Sequence, residues 1–246
     1  MASFDVKLTK VELRHIDDLV GHFRNNMELI EHFLEQLRAL FVGNPLLKPH
    51  VHSMKFRVKD PGHLRDKLIR KMMLTKNQKK KFHITKENLF GVINDLAGLR
   101  ILHLHTRQIE AINKAVLKIL EDEHYKIIGH PTAITWDDES RDYFTNIGIQ
   151  TRRSDRMYTS VHYIIKPNNR SGFTAEIQVR TLAEELWGEV DHTINYPAPS
   201  RISACREQIK VLARVTSSCS RLVDSIFNTR KDADRGRRTL GSNPRS

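Results

Sequence analysis

In the segment 173–181, apolar and polar residues alternate from 173 to 180, which is the pattern of a β-strand. Its two sides differ in chemistry: Ala175, Ile177 and Val179 fall on one side, and Glu176, Gln178 and Arg180 fall on the other. A second strand is predicted over 159–166, and the turn-forming composition of 167–172 joins the two. The chain must therefore build a sheet that carries a carboxylate, an amide and a guanidinium on one face. Such a row favours a functional site over a merely solvated surface.

Two long helices are predicted near the ends of the chain, where apolar residues recur every three or four positions. The first covers 13–41 as one continuous helix and ends before the turn residues 43–45. The second covers 202–226 and carries both cysteines of the chain, Cys205 and Cys219, which we expect to be small core residues without a redox role. We expect the two helices to be a scaffold, packed on each other, on the central part of the chain or on another subunit.

Helices and strands are interleaved between these two helices, which predicts an α/β or α+β domain. A helix is expected to start at the turn 60–62, and a strand over 99–105 is expected to precede a helix over 108–120. A short strand at 125–128 follows, and the aperiodic stretch 131–157 is interpreted as a long loop. A further helix of about fifteen residues is predicted after 181.

These patterns divide the chain into four parts. The expected parts are an N-terminal helix at 1–46, a central domain at 47–197, a C-terminal helix at 198–229 and a disordered basic tail at 230–246.

The chain is strongly basic, with 41 Lys and Arg against 29 Asp and Glu, and this charge is unevenly distributed. Residues 48–81 hold twelve basic and two acidic side chains, and residues 201–246 hold eleven and four. Separate basic blocks suggest defined tasks such as binding phosphate or nucleic acid, although Lys76 and residues 79–81 could equally form a solvated loop. No apolar run approaches the roughly 18–20 residues that cross a bilayer, and the start of the chain lacks a secretory signal. We therefore expect a cytoplasmic protein without a membrane partner.

A second carboxylate, Asp95, precedes the strand predicted over 99–105. If that strand pairs near 173–181, Asp95 and Glu176 could converge, and two carboxylates together with substrate phosphates are what Mg²⁺ usually takes as ligands. Candidate phosphate-binding cations, with a solvated helix face as the alternative, are Arg57, Lys59 and Lys67.

Other common sites find no support in the sequence. Two cysteines cannot build a disulfide framework or a four-cysteine zinc site, and the histidine pairs at 50 and 52 and at 103 and 105 lack the spacing of a helical zinc motif. The P-loop, dinucleotide-binding and serine-hydrolase motifs do not occur in the sequence.

Six segments, taken in order, resemble the synthetase domain of the RelA/SpoT family, the alarmone synthetases, over roughly residues 50–197. They are Phe-Arg-Val-Lys-Asp-Pro at 56–61, Asp-Leu-Ala-Gly-Leu-Arg at 95–100, Arg-Asp-Tyr at 141–143, Tyr-Thr-Ser-Val-His at 158–162, Glu-Ile-Gln-Val-Arg-Thr at 176–181 and Trp-Gly-Glu-Val-Asp-His at 187–192. Lys67 and Tyr196 also match. The order of the six segments, more than any one of them, carries the resemblance.

The resemblance implies a mixed sheet flanked by helices, of nucleotidyltransferase type. It also implies a reaction that moves the β,γ-pyrophosphate of ATP to a 3′-hydroxyl, usually that of GDP or GTP, with release of AMP. Asp95 and Glu176 would hold Mg²⁺ as the catalytic pair. The cations that would cradle the ATP phosphates are Arg57, Lys59, Lys67 and Arg141. Such transfer depends on positioning and charge neutralisation more than on a strong nucleophile.

On the acceptor side, the resemblance implies that Tyr158 stacks on the acceptor base and that His162 lies beside the acceptor. Gln178 and Arg180 would support the site from the same strand face as Glu176. If the acceptor is a nucleotide, we expect arginines of the preceding segment to contact its phosphates, namely Arg152, Arg153 or Arg156.

Three features depart from the family pattern. The Gly-Tyr of the family is Met157-Tyr158 here, so the conformational freedom of glycine is lost at the entrance to the base-stacking position. The arginine-bearing segment 150–156 replaces one with lysine and asparagine, and His63 stands where a serine is expected. The first two departures bear on guanine specificity more than on ATP use.

The favoured function is a small alarmone synthetase that makes (p)ppGpp, with synthesis but no hydrolase domain. The alternative within the family is a toxin-like enzyme that pyrophosphorylates the 3′ end of tRNA or an adenosine nucleotide. The net charge and the arginine-rich segment favour an RNA acceptor, whereas the Tyr-x-Ser-x-His segment favours a nucleotide. A third reading is an inactive RNA-binding module, against which the presence of both Asp95 and Glu176 argues. Further partners could be a second copy of the chain or an antitoxin, bound through the terminal helices.

Overall fold

The computed structural model describes residues 7–168, 172–196 and 199–241. The helices are α1 (Lys10–Arg24), α2 (Met27–Phe41), α3 (Pro61–Asn77), α4 (Leu89–Val92), α5 (Gln108–Asp122), α6 (Asp138–Asn146), α7 (Leu182–Asn195) and α8 (Ser203–Gly241). The strands are β1 (Ser53–Val58), β2 (Ala97–His103), β3 (Lys126–Ile127), β4 (Thr132–Thr135), β5 (Gln150–Arg153), β6 (Ser160–Lys166) and β7 (Ala175–Thr181).

The described strands form one mixed sheet in the order β1-β2-β7-β6-β4-β5, with β3 paired to β6. The pairs β2/β7 and β4/β5 are parallel, whereas β1/β2, β6/β7 and β4/β6 are antiparallel. The predicted neighbourhood of β2 and β7 is confirmed, with Gly98 beside Glu176. Mixed pairing surrounded by helices confirms the predicted fold class.

The two faces of the sheet have different surroundings. Ala175, Ile177 and Val179 of β7 are buried in the main hydrophobic core, together with residues of α1, α2, α3 and α5. Residues 176, 178 and 180 alternate with them and are only partly buried. The strand alternation therefore assigns one face to the core and leaves the other face available for polar chemistry.

The N-terminal seam is divided between two helices instead of one. The break lies at Asn25 and Asn26, where the side-chain amide of Asn26 donates to the carbonyl oxygen of His22 at 2.8 Å. Asparagine side chains compete with the helix for backbone groups, which explains the interruption. Ile16 in α1 and Ile30 in α2 are both buried in the same core, so the apolar spacing continues across the break.

The prediction of a long loop over residues 131–157 is wrong, because this stretch contains β4, α6 and β5. Each strand has only four residues, too few to display a period. Asp137 caps α6, since its Oδ1 accepts from the backbone N–H of Glu139 at 3.0 Å. By contrast, the helix expected at the turn 60–62 is confirmed, because Asp60 caps α3 by accepting from the N–H of His63.

Helix α8 differs most from expectation, because it continues to Gly241 through residues expected to be disordered. Arginine, lysine and alanine are favourable in helices, so α8 can extend without an apolar face. Residues 242–246 lie outside the described part of the chain. The buried side of α8 also matches the predicted seam only in part, because Ile209 and Thr216 of that seam are buried whereas Cys219 and Ile226 are exposed. The buried side consists of small or hydroxyl residues, namely Ala213, Thr216, Ser217 and Ser220, with Ile209.

In the described residues, no helix is both long enough and apolar enough to cross a membrane.

Candidate active site

Two carboxylates meet in a cleft on the polar face of the sheet. Glu176 is in β7, and Asp95 lies two residues before β2, which pairs in parallel with β7. Both line a cleft of about 400 Å³ together with Arg57, Arg100 and Gln178, which we call the first cleft. The two carboxylates reach the same cleft because parallel neighbours bring residues at corresponding strand positions to the same end of the sheet, and their binding of one ion stays a prediction.

Asp95 is held between two ammonium groups. The Nζ of Lys59 lies 2.8 Å from Oδ2, and the Nζ of Lys67 lies 2.7 Å from Oδ1. Lys59 follows β1 and is buried, whereas Lys67 reaches the cleft from α3. Burial by itself would raise the pKa of Asp95, but the charges of Lys67 and Lys59 lower it to about 2. Asp95 is therefore ionised at neutral pH, with cations already beside it that suit phosphate oxygens.

Glu176 is oriented by hydrogen bonds from the adjacent strand and from its own. Its Oε1 lies 2.8 Å from Nδ1 of His162, and its Oε2 accepts from the amide of Gln178 at 2.8 Å. His162 on β6 is opposite Gln178 on β7, so Glu176, two residues earlier on the same face of β7, is its diagonal neighbour and comes within hydrogen-bonding distance. Burial raises the pKa of Glu176, but the hydrogen bonds and charge of His162 and the amide of Gln178 lower it overall. The Nε2 atom of His162 is buried without a partner in the described residues.

A second cleft of about 530 Å³ adjoins the first and shares Arg57, Arg100, Gln178 and Glu189 with it. Its remaining lining includes several residues predicted for acceptor binding, namely Arg156, Tyr158, His162 and Arg180. Burial raises the pKa of the Tyr158 phenol, so this ring is neutral at physiological pH. The two clefts together can accommodate two ligands in contact with each other.

Three predicted arginines are not brought to these clefts. Arg141 lies on α6 and pairs with Asp138 of the same helix at 2.8 Å. Arg152 and Arg153 lie on β5, where both are exposed, and neither is among the lining residues of the first or the second cleft. Of the arginines in the segment 150–156, the structure brings only Arg156 to the second cleft.

A network around Glu185 was missed by the sequence reasoning. Its buried carboxylate contacts Arg180 at 2.6 Å, Arg100 at 2.9 Å and Lys55 at 2.7 Å. Burial would raise the pKa of Glu185, but Arg180 and the other cations lower it to about 2. Residue 188 of α7 is glycine, and a Cβ at this position would lie 2.8 Å from Nη1 of Arg180, so any larger residue would require the guanidinium to shift. The position of Arg100 in the matching segment 95–100 was the available signal.

The two remaining departures from the family pattern also lie beside the second cleft. The ring of His63 is 4.8 Å from that of Tyr196, a residue of the cleft lining. Met157 has a φ of +59°, so its backbone adopts the left-handed conformation although it is not glycine.

Known proteins resemble this chain in sequence. A family model described as "Region found in RelA / SpoT proteins" matches residues 56–201. The chain is 27% identical over 200 residues to the protein named GTP pyrophosphokinase YwaC of Bacillus subtilis (strain 168), covering 76% of this chain and 82% of that protein.

Solved structures show the same fold. A GTP pyrophosphokinase family protein from Streptococcus pneumoniae aligns with a TM-score of 0.58 at 19% identity, over 88% of this chain and 95% of that one. The small alarmone synthetase 1 of Bacillus subtilis, bound to its product pppGpp, aligns with a TM-score of 0.56 at 19% identity, over 88% and 96%.

Proposed function

The chain belongs to the RelA/SpoT family, and on that premise we propose that it is a synthetase that transfers the β,γ-pyrophosphate of ATP to the 3′-hydroxyl of GDP or GTP. The acceptor 3′-oxygen bonds to the β-phosphorus and its hydroxyl proton is released, while the bond from that phosphorus to the α–β bridging oxygen breaks and AMP leaves with that oxygen. The relative named GTP pyrophosphokinase and the relative bound to pppGpp support a guanosine acceptor. ATP, GDP and GTP are the proposed small-molecule partners, and we expect the protein to work in the cytoplasm, where these nucleotides are abundant.

The observation that carries this proposal is that Asp95 and Glu176 line one cleft together with Arg57 and Arg100. Arg57, Lys59 and Lys67 would bind the donor phosphates, because Lys59 and Lys67 contact Asp95 and Arg57 lines the same cleft. These fixed positive charges would neutralise the charge that develops on the transferred group. Arg141 would need to leave Asp138 to take part, so we assign it no contact with ATP.

The residues present fit a magnesium ion. Asp95 and Glu176 offer hard carboxylate oxygens, both with lowered pKa values, on the same cleft. Mg²⁺ bound there would polarise the donor phosphates and neutralise part of their charge. Lys59 and Lys67 can then bind phosphate oxygens in place of the carboxylate that they contact now.

The second cleft would take the acceptor. Tyr158 would stack on the base, since aromatic stacking binds any base, and Arg156 is the arginine placed to meet the acceptor phosphates. His162 joins the two halves of the site, because it contacts Glu176 and also lines the second cleft. The buried, unpartnered Nε2 of His162 would gain a hydrogen-bond partner from the acceptor ribose.

The test is transfer of label from ATP labelled in its β- and γ-phosphates. Purified protein is incubated with magnesium and, in separate reactions, with GDP, GTP, ADP or deacylated tRNA. We expect labelled product from GDP or GTP together with an equal amount of AMP. Labelling of tRNA or ADP, with none of GDP or GTP, would replace the guanosine acceptor by one of the alternatives, and the absence of any transfer would contradict the proposed activity.

A further inference from the structure

Met157 occupies a backbone conformation that its side chain disfavours. Its φ of +59° lies in the left-handed region, which glycine adopts without steric cost and in which a residue with a Cβ is strained. The residue directly precedes Tyr158, the ring proposed to stack on the acceptor. A strained conformation persists only where surrounding contacts enforce it, so these contacts identify what the position does.

The surrounding contacts are apolar and come from α7 and α8. Met157 packs on a small cluster formed by Trp187, Ile209 and Ala213, separate from the main core. Trp187 is 3% exposed, and its Nε1–H donates to the carbonyl oxygen of Ile209 at 3.0 Å. The indole is thereby fixed to the backbone of α8.

The same indole contacts the acceptor tyrosine. The rings of Tyr158 and Trp187 are nearly parallel, with an angle of 15° and a centroid separation of 6.3 Å. The turn before Tyr158 is held from the other direction by the buried Ser154, whose Oγ accepts from the N–H of Arg156 at 3.3 Å. Tyr158 is therefore held by a packed indole behind it and by a fixed turn before it.

We propose that Met157 and Trp187 are positioning residues that attach Tyr158 to α8 and set the affinity for the acceptor. This inference rests on the proposed function, because it takes Tyr158 to be the acceptor-stacking residue. Met157 fills the cluster beside Trp187, a contact that glycine could not make, and its packing offsets the unfavourable backbone. A ring ordered before the acceptor arrives loses less entropy on binding, so ordering raises affinity without a new contact.

The test compares Met157→Gly with Met157→Ala. Both variants remove the side chain from the cluster, and only glycine relieves the left-handed backbone. We expect both to raise the KM for GDP or GTP about three- to tenfold, with the KM for ATP unchanged and kcat within about twofold. We also expect the alanine variant to have the lower Tm, which reverses the usual order of these two residues.

Two control variants test whether these effects are specific. Leu186→Ala removes an apolar side chain that is next to Trp187 in sequence but 58% exposed. His124→Gly relieves another left-handed residue, φ +58°, at the end of α5. Neither should change the KM for the acceptor. An unchanged acceptor KM in both Met157 variants, or an alanine variant more stable than the glycine variant, would overturn the inference.

A readout without substrate separates this inference from the proposed function. Trp187 and Trp136 are the two tryptophans of the chain, so a Trp136→Phe background leaves the emission of Trp187 alone. Adding Met157→Gly should shift this emission to longer wavelength, because water reaches the indole. A wild-type protein that transfers nothing to GDP or GTP would count against the proposed function, whereas an unshifted emission would refute the role of Met157 itself.

Discussion

At the scale of single residues, the partly buried Asp95 and the buried Glu184 show how neighbouring groups decide the charge of a carboxylate. Burial by itself would raise the pKa of both Asp95 and Glu184 above the ordinary value of a carboxyl group. Lys67 and Lys59 contact Asp95 and bring its pKa to about 2, whereas Glu184 accepts from the backbone N–H of Thr159 and has a pKa of about 7. Asp95 is therefore suited to hold a cation, and Glu184 carries a proton for much of the time at neutral pH.

The magnesium proposal predicts the effect of Glu176→Gln. The amide retains an acceptor oxygen for Gln178 but loses the charge that a metal requires, so the fold should persist while turnover falls about 100-fold or more. Turnover is measured at saturating Mg²⁺, and binding of Mn²⁺ with a non-hydrolysable ATP analogue is measured in parallel. The exposed Glu121→Gln on α5 serves as control. A variant that keeps more than about a tenth of wild-type turnover would refute the assignment.

The raised pKa of Glu184 predicts that the free energy of unfolding depends on pH. Its folded pKa of about 7 exceeds the ordinary 4.5, so it stabilises the fold below pH 4.5 and this contribution is lost as the pH rises through 7. Glu184→Gln does not titrate, so its free energy of unfolding relative to wild type should increase by about 2 to 3 kcal/mol from pH 5 to pH 8. Denaturant unfolding at both pH values measures it. Glu110→Gln, an exposed carboxyl paired with Lys114 and of lowered pKa, should show no such change.

At the scale of elements, α2 offers a sharp test of the N-terminal scaffold. Ile30 is 1% exposed in the main core, and its neighbour Leu29 on the same helix is 54% exposed. Ile30→Asp places a charge among apolar groups and should lower the free energy of unfolding by more than about 3 kcal/mol, or prevent folding. Leu29→Asp should change it by about 0.5 kcal/mol or less. Equal Tm values for the two variants would contradict the packing of α2.

The C-terminal helix is held by a different kind of contact. Asp137, which caps α6, also accepts from Ser217 at 2.7 Å and from Arg221 at 2.9 Å, both on α8. His105 after β2 contacts Asp224 of α8 at 2.7 Å. Because polar groups that follow β4 and β2 are among its partners, α8 buries serine and threonine and leaves Val211 and Ile226 exposed. An oligomer or an antitoxin bound through the terminal helices stays a prediction.

At the scale of the whole molecule, the net charge of +12 makes the response to salt informative. A nucleotide acceptor contacts few cations, so raising salt from about 50 to 200 mM should lower kcat/KM for GDP by less than about tenfold. An RNA backbone tracked by many cations would lose about 10³-fold or more. A steep loss with GDP would contradict a site of the size of the second cleft.

Arg156 sharpens this prediction. Arg156→Ala should raise the KM for GDP about three- to tenfold, because it removes a charge-assisted contact from the second cleft. Arg153→Ala, on β5 and outside the described lining of that cleft, is the matched control. Equal KM values in the two variants would remove Arg156 from the acceptor site.

Features that depend on residues close together in the chain could be predicted from the sequence. The alternation over 173–181 fixed strand β7 and the face on which Glu176 lies, because side chains alternate strictly along a strand. Asp60 before Pro61 determined the start of α3, because capping involves only the next few residues. The six ordered segments were sufficient to identify the family and the mixed sheet.

Contacts between side chains that are far apart in the sequence became known only from the tertiary structure. Lys59 and Lys67 flank Asp95, His162 bonds to Glu176, and the indole of Trp187 supports Tyr158. Each of these contacts depends on strand register and helix docking, which many residues set jointly and no local pattern records. For the same reason Arg141 and Arg153, which were candidates by their position in the chain, do not line the clefts. Arg100 and Glu185 belong to a network that forms only when α7 packs on the sheet.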